Sequence, residues 1–277
     1  MIRFSFYISS ILILMNISCN SQQEEKENMG TGANYNSNTL NSLKVNENKV
    51  YIEGGIYIPL YGSDSQKVEV KDFYIDVYPV TNADFLAFVK INPQWQKSKV
   101  KKIFADGNYL KYWKNDTTLA DDMLLNSPIT NVSWFAANAY CKSTGSRLPT
   151  LDEWEYVAMA DPTDIDARNK KEYNQYILDW YESQNTFLNE IGKTYKNYWG
   201  VYDMHGLVWE WIYDFSSVLI SGESRGNSAK DQDLFCASGS LGANDLMNYA
   251  AFMRYAFRGS LRANYNIQNL GFRTAKD

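Results

Sequence analysis

A loop-rich α+β domain is what this sequence predicts, and three observations carry that reading. Short runs alternate apolar and polar residues as strands do, at Val68 to Val70 and at Phe73, Ile75 and Val77. Short amphipathic stretches begin on helix-capping residues at Thr81, Ser133 and Thr150. Beyond Tyr195 the chain is aromatic, punctuated by glycine and poor in periodicity, so loops and short strands are expected there instead of long elements.

Taken in order, the strand-like run through Val77 ends at Pro79, which cannot donate to a sheet ladder. Thr81, Asn82 and Asp84 offer caps for a helix whose apolar positions are Phe85, Phe88 and Val89. A second helix starts from Ser133, with Trp134, Ala137, Tyr140 and Cys141 on one face and Gly145 as its C-terminal stop. Thr150 with Glu153 three residues on makes a capping box for a third, carrying Trp154, Val157 and Ala158 inward.

The composition bounds the function classes. With 277 residues, 45% hydrophobic and 15% aromatic, the chain has ample material for one packed core. A net charge of −5 argues against a nucleic-acid partner, which needs clustered Lys and Arg. The basic residues are scattered apart from a run at residues 97–102, read as a solvated face. His205 is the single histidine, so a three-histidine iron or zinc site cannot be built. Three cysteines, Cys19, Cys141 and Cys236, cannot form a zinc ribbon or a dense disulfide framework.

Residues 1–19 read as an export signal: a positive start, about a dozen apolar residues, then Ser18 and Cys19. This end resembles a bacterial lipobox, departing from it at Asn16, and implies lipidation of Cys19; the alternative is ordinary cleavage with Cys19 lost. Acyl chains tether a body to a membrane at about 0.8 kcal/mol per buried methylene. Residues 20–48, rich in Asn, Ser, Gln, Glu and Lys, cannot bury enough surface to offset chain entropy and read as a flexible tether. Residues 49–277 form the globular domain. The expected location is exported and membrane-anchored, facing the periplasm or the cell surface.

Four blocks occur in one order. Phe73-Tyr74-Ile75-Asp76 is followed by Pro79-Val80-Thr81-Asn82-Ala83. Residues 128–158 contain Val132-Ser133-Trp134, Arg147-Leu148-Pro149-Thr150 and Glu153-Trp154-Glu155. Gly200-Val201-Tyr202-Asp203-Met204-His205-Gly206-Leu207-Val208-Trp209-Glu210-Trp211 comes third. The last runs from Arg254 and ends in Asn269-Leu270-Gly271-Phe272-Arg273. Together they resemble the formylglycine-generating enzyme, or sulfatase-modifying factor, family over about residues 50–275. The wording of the third block looks most like a subgroup encoded beside copper nitrite reductases. The resemblance implies a C-type-lectin-like fold with much loop, anchored in the family by calcium and disulfides.

Calcium takes about 6–8 oxygens, mixing carboxylates and carbonyls. The resemblance implies ligands from the Asp203 and Glu210 side chains and the Gly206 and Val208 carbonyls. The alternative is that Asp203 caps a turn while Glu210 pairs with a buried arginine such as Arg273. Of the family's disulfides, Cys141 has Thr274 where its partner is expected, and a second pair falls at Ala158 and Tyr255. A Cys141–Cys236 bond and a buried free Cys141 thiol both remain open.

Family members oxidise a substrate cysteine using copper held by two cysteines five positions apart. Residues 245–255 contain no cysteine, and the second of the pair falls at about Ala250. One thiolate cannot supply a two-coordinate Cu(I) site. Cys236 is read as structural, with a lone copper ligand or redox thiol as the alternative, and His205 as a neutral imidazole bonded to backbone in preference to a metal ligand. Neither copper nor iron is expected. The expected function is an accessory or binding protein of the cell envelope with an unidentified protein or peptide partner. The alternatives are a metal-dependent oxidase or oxygenase at a non-standard site near Cys236, and carbohydrate or peptide binding through Trp180, Tyr181, Trp199 and Trp211.

Overall fold

A computed structural model describes residues 48–59, 67–120, 124–216 and 246–277. Cys19 and Cys236 lie outside the described residues. The described strands are β1 (Lys49–Ile52), β2 (Gly55–Tyr57), β3 (Val68–Val70), β4 (Phe73–Asp76), β5 (Trp209–Glu210), β6 (Leu270–Gly271) and β7 (Ala275–Lys276). The helices are α1 (Asn82–Ile91), α2 (Trp134–Ser143), α3 (Leu151–Ala158), α4 (Lys171–Glu182) and α5 (Leu246–Gly259). Elements this short, joined by long ordered loops, make the expected loop-rich α+β class.

The helix starts follow the capping chemistry. The Thr81 hydroxyl accepts from the Asp84 amide while the Asp84 carboxylate accepts from the Thr81 amide, and Thr150 with Glu153 repeats the exchange. Ser133 caps α2 through the Ala136 amide. Beyond the end of α2, Gly145 takes φ +67°, a conformation glycine adopts at little cost.

The sheets are small. β4 is the centre of a three-stranded antiparallel sheet in the order β1-β4-β7, pairing Ile52 with Phe73 and Ile75 with Ala275. This pairing brings the chain's end back onto a strand some 200 residues earlier and closes the domain. β2 and β3 form a separate antiparallel pair, and β5 with β6 a parallel one. One core cluster joins α1 and α2 through Phe85, Phe88, Tyr140 and Phe272; a second joins α3 to the large sheet through Ile52, Phe73, Ile75 and Val157.

The stretch after Tyr195 departs from expectation at α5, a 14-residue helix where only loops and short strands were expected. Its inward positions explain the miss. Ala250, Ala251, Arg254 and Arg258 are its buried positions among the described side chains, so two of these four are arginine and interrupt the apolar stripe. No helix among the described residues is long and apolar enough to cross a membrane.

Candidate functional site

The third sequence block folds around a buried ion pair. Glu210 lies on β5 opposite Gly271 of β6, and this register sets Arg273, two residues further, beside it. Gly271 is required for that approach, because a methyl group at its Cα would lie 2.5 Å from the Ile129 carbonyl oxygen. Arg273 Nε donates to both Glu210 carboxylate oxygens at 3.0 and 2.8 Å, and Nη2 donates to Oε1 at 2.8 Å. The Trp154 indole N–H, from α3, donates to Oε2 at 2.8 Å. Both charged side chains have no exposure. The remaining Arg273 donors reach the carbonyls of Asp76 and Tyr202, each at 3.0 Å. One guanidinium thus ties β4, the loop before β5, and β5 itself.

Asp203, fully buried at φ +60°, accepts from the Gly192 amide at 2.6 Å and from the Thr194 hydroxyl at 2.8 Å and amide at 3.3 Å. It therefore caps the turn at residues 192–194. Gly206 takes φ +99°, and a methyl group there would meet the Tyr176 hydroxyl at 2.3 Å. Val208 is buried.

These four residues do not fit calcium as they stand. A carboxylate has about four acceptor positions, and Glu210 has two hydrogen bonds on each oxygen, three of them from a cation. A divalent ion on Glu210 would have to displace Arg273 or Trp154 from a site where neither charged side chain is exposed. The arrangement seen is the alternative drawn from the sequence: Asp203 capping a turn and Glu210 paired with Arg273.

A second buried charge cluster went unnoticed in the sequence. Glu155 of α3 accepts from Arg254 Nη2 at 2.9 Å and Nε at 3.2 Å, and from Arg258 Nη1. The Arg258 guanidinium also lies 4.5 Å from the centre of the Trp154 ring. Burial alone would push the Glu155 carboxyl up; the two guanidiniums outweigh it and hold it down to about 2. The available signal was two arginines four residues apart, which share one helix face.

His205 is buried between these clusters. Its Nε2 lies 3.1 Å from the Ala158 carbonyl and 3.2 Å from the Tyr173 hydroxyl, while Nδ1 has no hydrogen-bond partner among the described residues. A carbonyl can only accept, so Nε2 carries a proton, and a second proton on the partnerless Nδ1 would be a buried, unsatisfied charge, which keeps the ring neutral. Burial, with Arg254 nearby, holds its pKa down to about 3. This is the backbone-bonded imidazole that the sequence suggested.

Cys141 is a buried free thiol, pushed well above the usual thiol range by burial and then by Asp76. Ala250 is buried on α5, and its carbonyl accepts from the Tyr181 hydroxyl at 3.1 Å. Tyr181 also walls a cleft of about 330 Å³ with Trp180, Asn185, Trp209, Gln268 and Asn269, and among the described residues no charged side chain lines it. Of the four aromatics considered as a platform, only Trp180 and Tyr181 reach this cleft. Trp211 is fully buried, and Trp199 packs instead against Tyr156 at 5.6 Å. Trp209, stacked on Tyr181 at 4.9 Å, and Phe187 are the cleft aromatics that the sequence reading missed.

Comparison with known proteins places this geometry in a family. The model of the sulfatase-modifying factor enzyme 1-like domain matches residues 36–277. A serine/threonine-protein kinase of Chlamydia caviae is 26% identical over 60% of this chain, which spans only 27% of the kinase. The formylglycine-generating enzyme of Mus musculus is 27% identical over 77% of this chain and 68% of its own. The inactive C-alpha-formylglycine-generating enzyme 2 of Mus musculus is 27% identical over 58% of this chain and 67% of its own. The chain spans about a quarter of the length of the curated kinases it matches.

Proposed function

The chain belongs to the sulfatase-modifying factor enzyme 1-like family, and we propose that it is a cell-envelope lipoprotein that uses this scaffold to bind a partner without performing copper-dependent cysteine oxidation. The observation that carries the reading is Ala250. The position that resembles the family's second copper cysteine holds a methyl group, buried on α5 behind the cleft. Copper(I) held by two thiolates needs soft sulfur on both sides. Ala250 has none, and Cys141 is a buried, protonated thiol on another helix. A relative that the chain matches is named an inactive formylglycine-generating enzyme, which supports a reading in which this scaffold serves without that activity.

The uncharged cleft beside Ala250 is where we place the partner, a protein or peptide segment entering between Trp209 and the amides of Asn185 and Asn269. Export and anchoring rest on the apolar leader ending at Cys19. The test incubates purified protein with copper, oxygen and a cysteine-containing peptide, and follows peptide mass. No conversion is expected, with the protein's own fold verified by its melting transition. Saturable oxidation of the peptide would overturn the reading. Lipidation is checked separately by metabolic labelling with a fatty-acid analogue, which Cys19→Ser should abolish.

A further inference from the structure

Residues 90–114 carry seven lysines and one aspartate, a net charge of +6 in a chain whose total is −5. The structure gathers them. The Lys97 ammonium donates to the carbonyls of Lys111 and Trp113, and the Ser98 amide and hydroxyl bond the Asp116 carboxylate at 2.7 and 2.6 Å. The two lysine-bearing segments therefore run side by side. Lys90, Lys99, Lys101, Lys102, Lys111 and Lys114 are all exposed. The acids near them are engaged: Asp116 with Ser98, and Asp106 with the amides of Asn108 and Asn266.

Ile103, directly after Lys101 and Lys102, is 72% exposed, and Ile91, beside Lys90, is 42% exposed. The segment around Ile103 is firmly held: Phe104 packs on Trp95 at 5.9 Å and Phe135 at 5.3 Å, and the Tyr109 hydroxyl donates to the Trp95 carbonyl at 2.9 Å. Isolated exposed apolar residues occur elsewhere on this domain, as at Ile56, 65% exposed; what marks Ile103 is that it directly follows two exposed lysines. A polyanion in solution would use the lysines alone. A bilayer surface uses both, taking ammonium groups at its phosphates and an aliphatic side chain at the acyl boundary.

We propose that residues 90–114 form a membrane-docking face that binds anionic lipid headgroups through these lysines and inserts Ile103. The face acts beside any acyl chain on Cys19 and holds the domain in one orientation on the bilayer. It is independent of whether the domain retains any oxidase activity.

The test uses the chain from residue 20 onward, which keeps the whole matched domain and removes both the apolar leader and the acylation site at Cys19, in co-sedimentation with phosphatidylcholine vesicles with and without phosphatidylglycerol. Binding is expected only with phosphatidylglycerol and should weaken as salt is raised. Lys99→Glu, Lys101→Glu and Lys102→Glu together should lose affinity by roughly a hundredfold or more. Ile103→Ser should lose severalfold while leaving salt dependence intact. Both variants change exposed side chains, and unaltered melting transitions are expected. Equal binding to both vesicle types, or no effect of the charge reversals, overturns the proposal. So does binding to soluble heparin with no binding to vesicles, or full vesicle binding by Ile103→Ser, since either makes the face a simple polyanion site.

Discussion

Arg273 donates three hydrogen bonds to Glu210 in a setting where neither side chain meets solvent. The residues are 63 apart in sequence, and the parallel pairing of β5 with β6 places them together. Removing one partner of such a pair leaves an uncompensated buried charge, which costs about 3–5 kcal/mol. Arg273→Met and Glu210→Leu should each destabilise by that order in urea titrations. The double variant should cost less than the sum of the two, with a coupling of about 1–3 kcal/mol. Strict additivity would show that the two groups do not depend on one another.

The same ion pair bears on calcium. Since all four acceptor positions of Glu210 are engaged, the melting temperature should be unchanged by a calcium chelator. A chelator-induced fall that Asp203→Ala abolishes would restore the metal to this loop and require Arg273 to move aside.

His205 makes acid sensitivity separable. Its folded pKa of about 3 lies below the usual value of 6.5, so the contribution is present above pH 6.5 and is lost as pH falls toward 3. A single such group changes stability by up to about 1.4 kcal/mol per pH unit. Glu155 is also depressed, from 4.5 to about 2, and its contribution is lost only below pH 4.5. Between pH 6.5 and 4.5 the histidine therefore acts without Glu155. The free energy of unfolding should decline over that interval in the wild type, and the decline should be shallower in His205→Gln. Parallel profiles for the two proteins would remove His205 as the cause.

The helix starts were legible because their chemistry is local. Thr81 with Asp84, Ser133 with Ala136 and Thr150 with Glu153 all act across three residues, and the structure uses each one. The strands from Val68 to Asp76 were legible for the same reason, through period-two alternation. Helix α5 was not, because buried arginines fill positions where a core-facing helix usually carries aliphatics.

Short-range order along the chain thus decided the caps, the loop-rich α+β class and the four blocks that mark the family. That alanine and not cysteine stands at position 250 is likewise a matter of residue identity alone. Which charges meet was decided only in three dimensions. Two readings of Glu210 were open from the sequence, calcium or Arg273, since both satisfy a buried carboxylate and neither leaves a periodic trace. The choice required the β5–β6 register, which brings a guanidinium to within 3.0 Å across 63 residues. Likewise the lysine-bearing segments at Lys97 and at Lys111 meet only because the Lys97 ammonium folds back onto the backbone at Lys111 and Trp113.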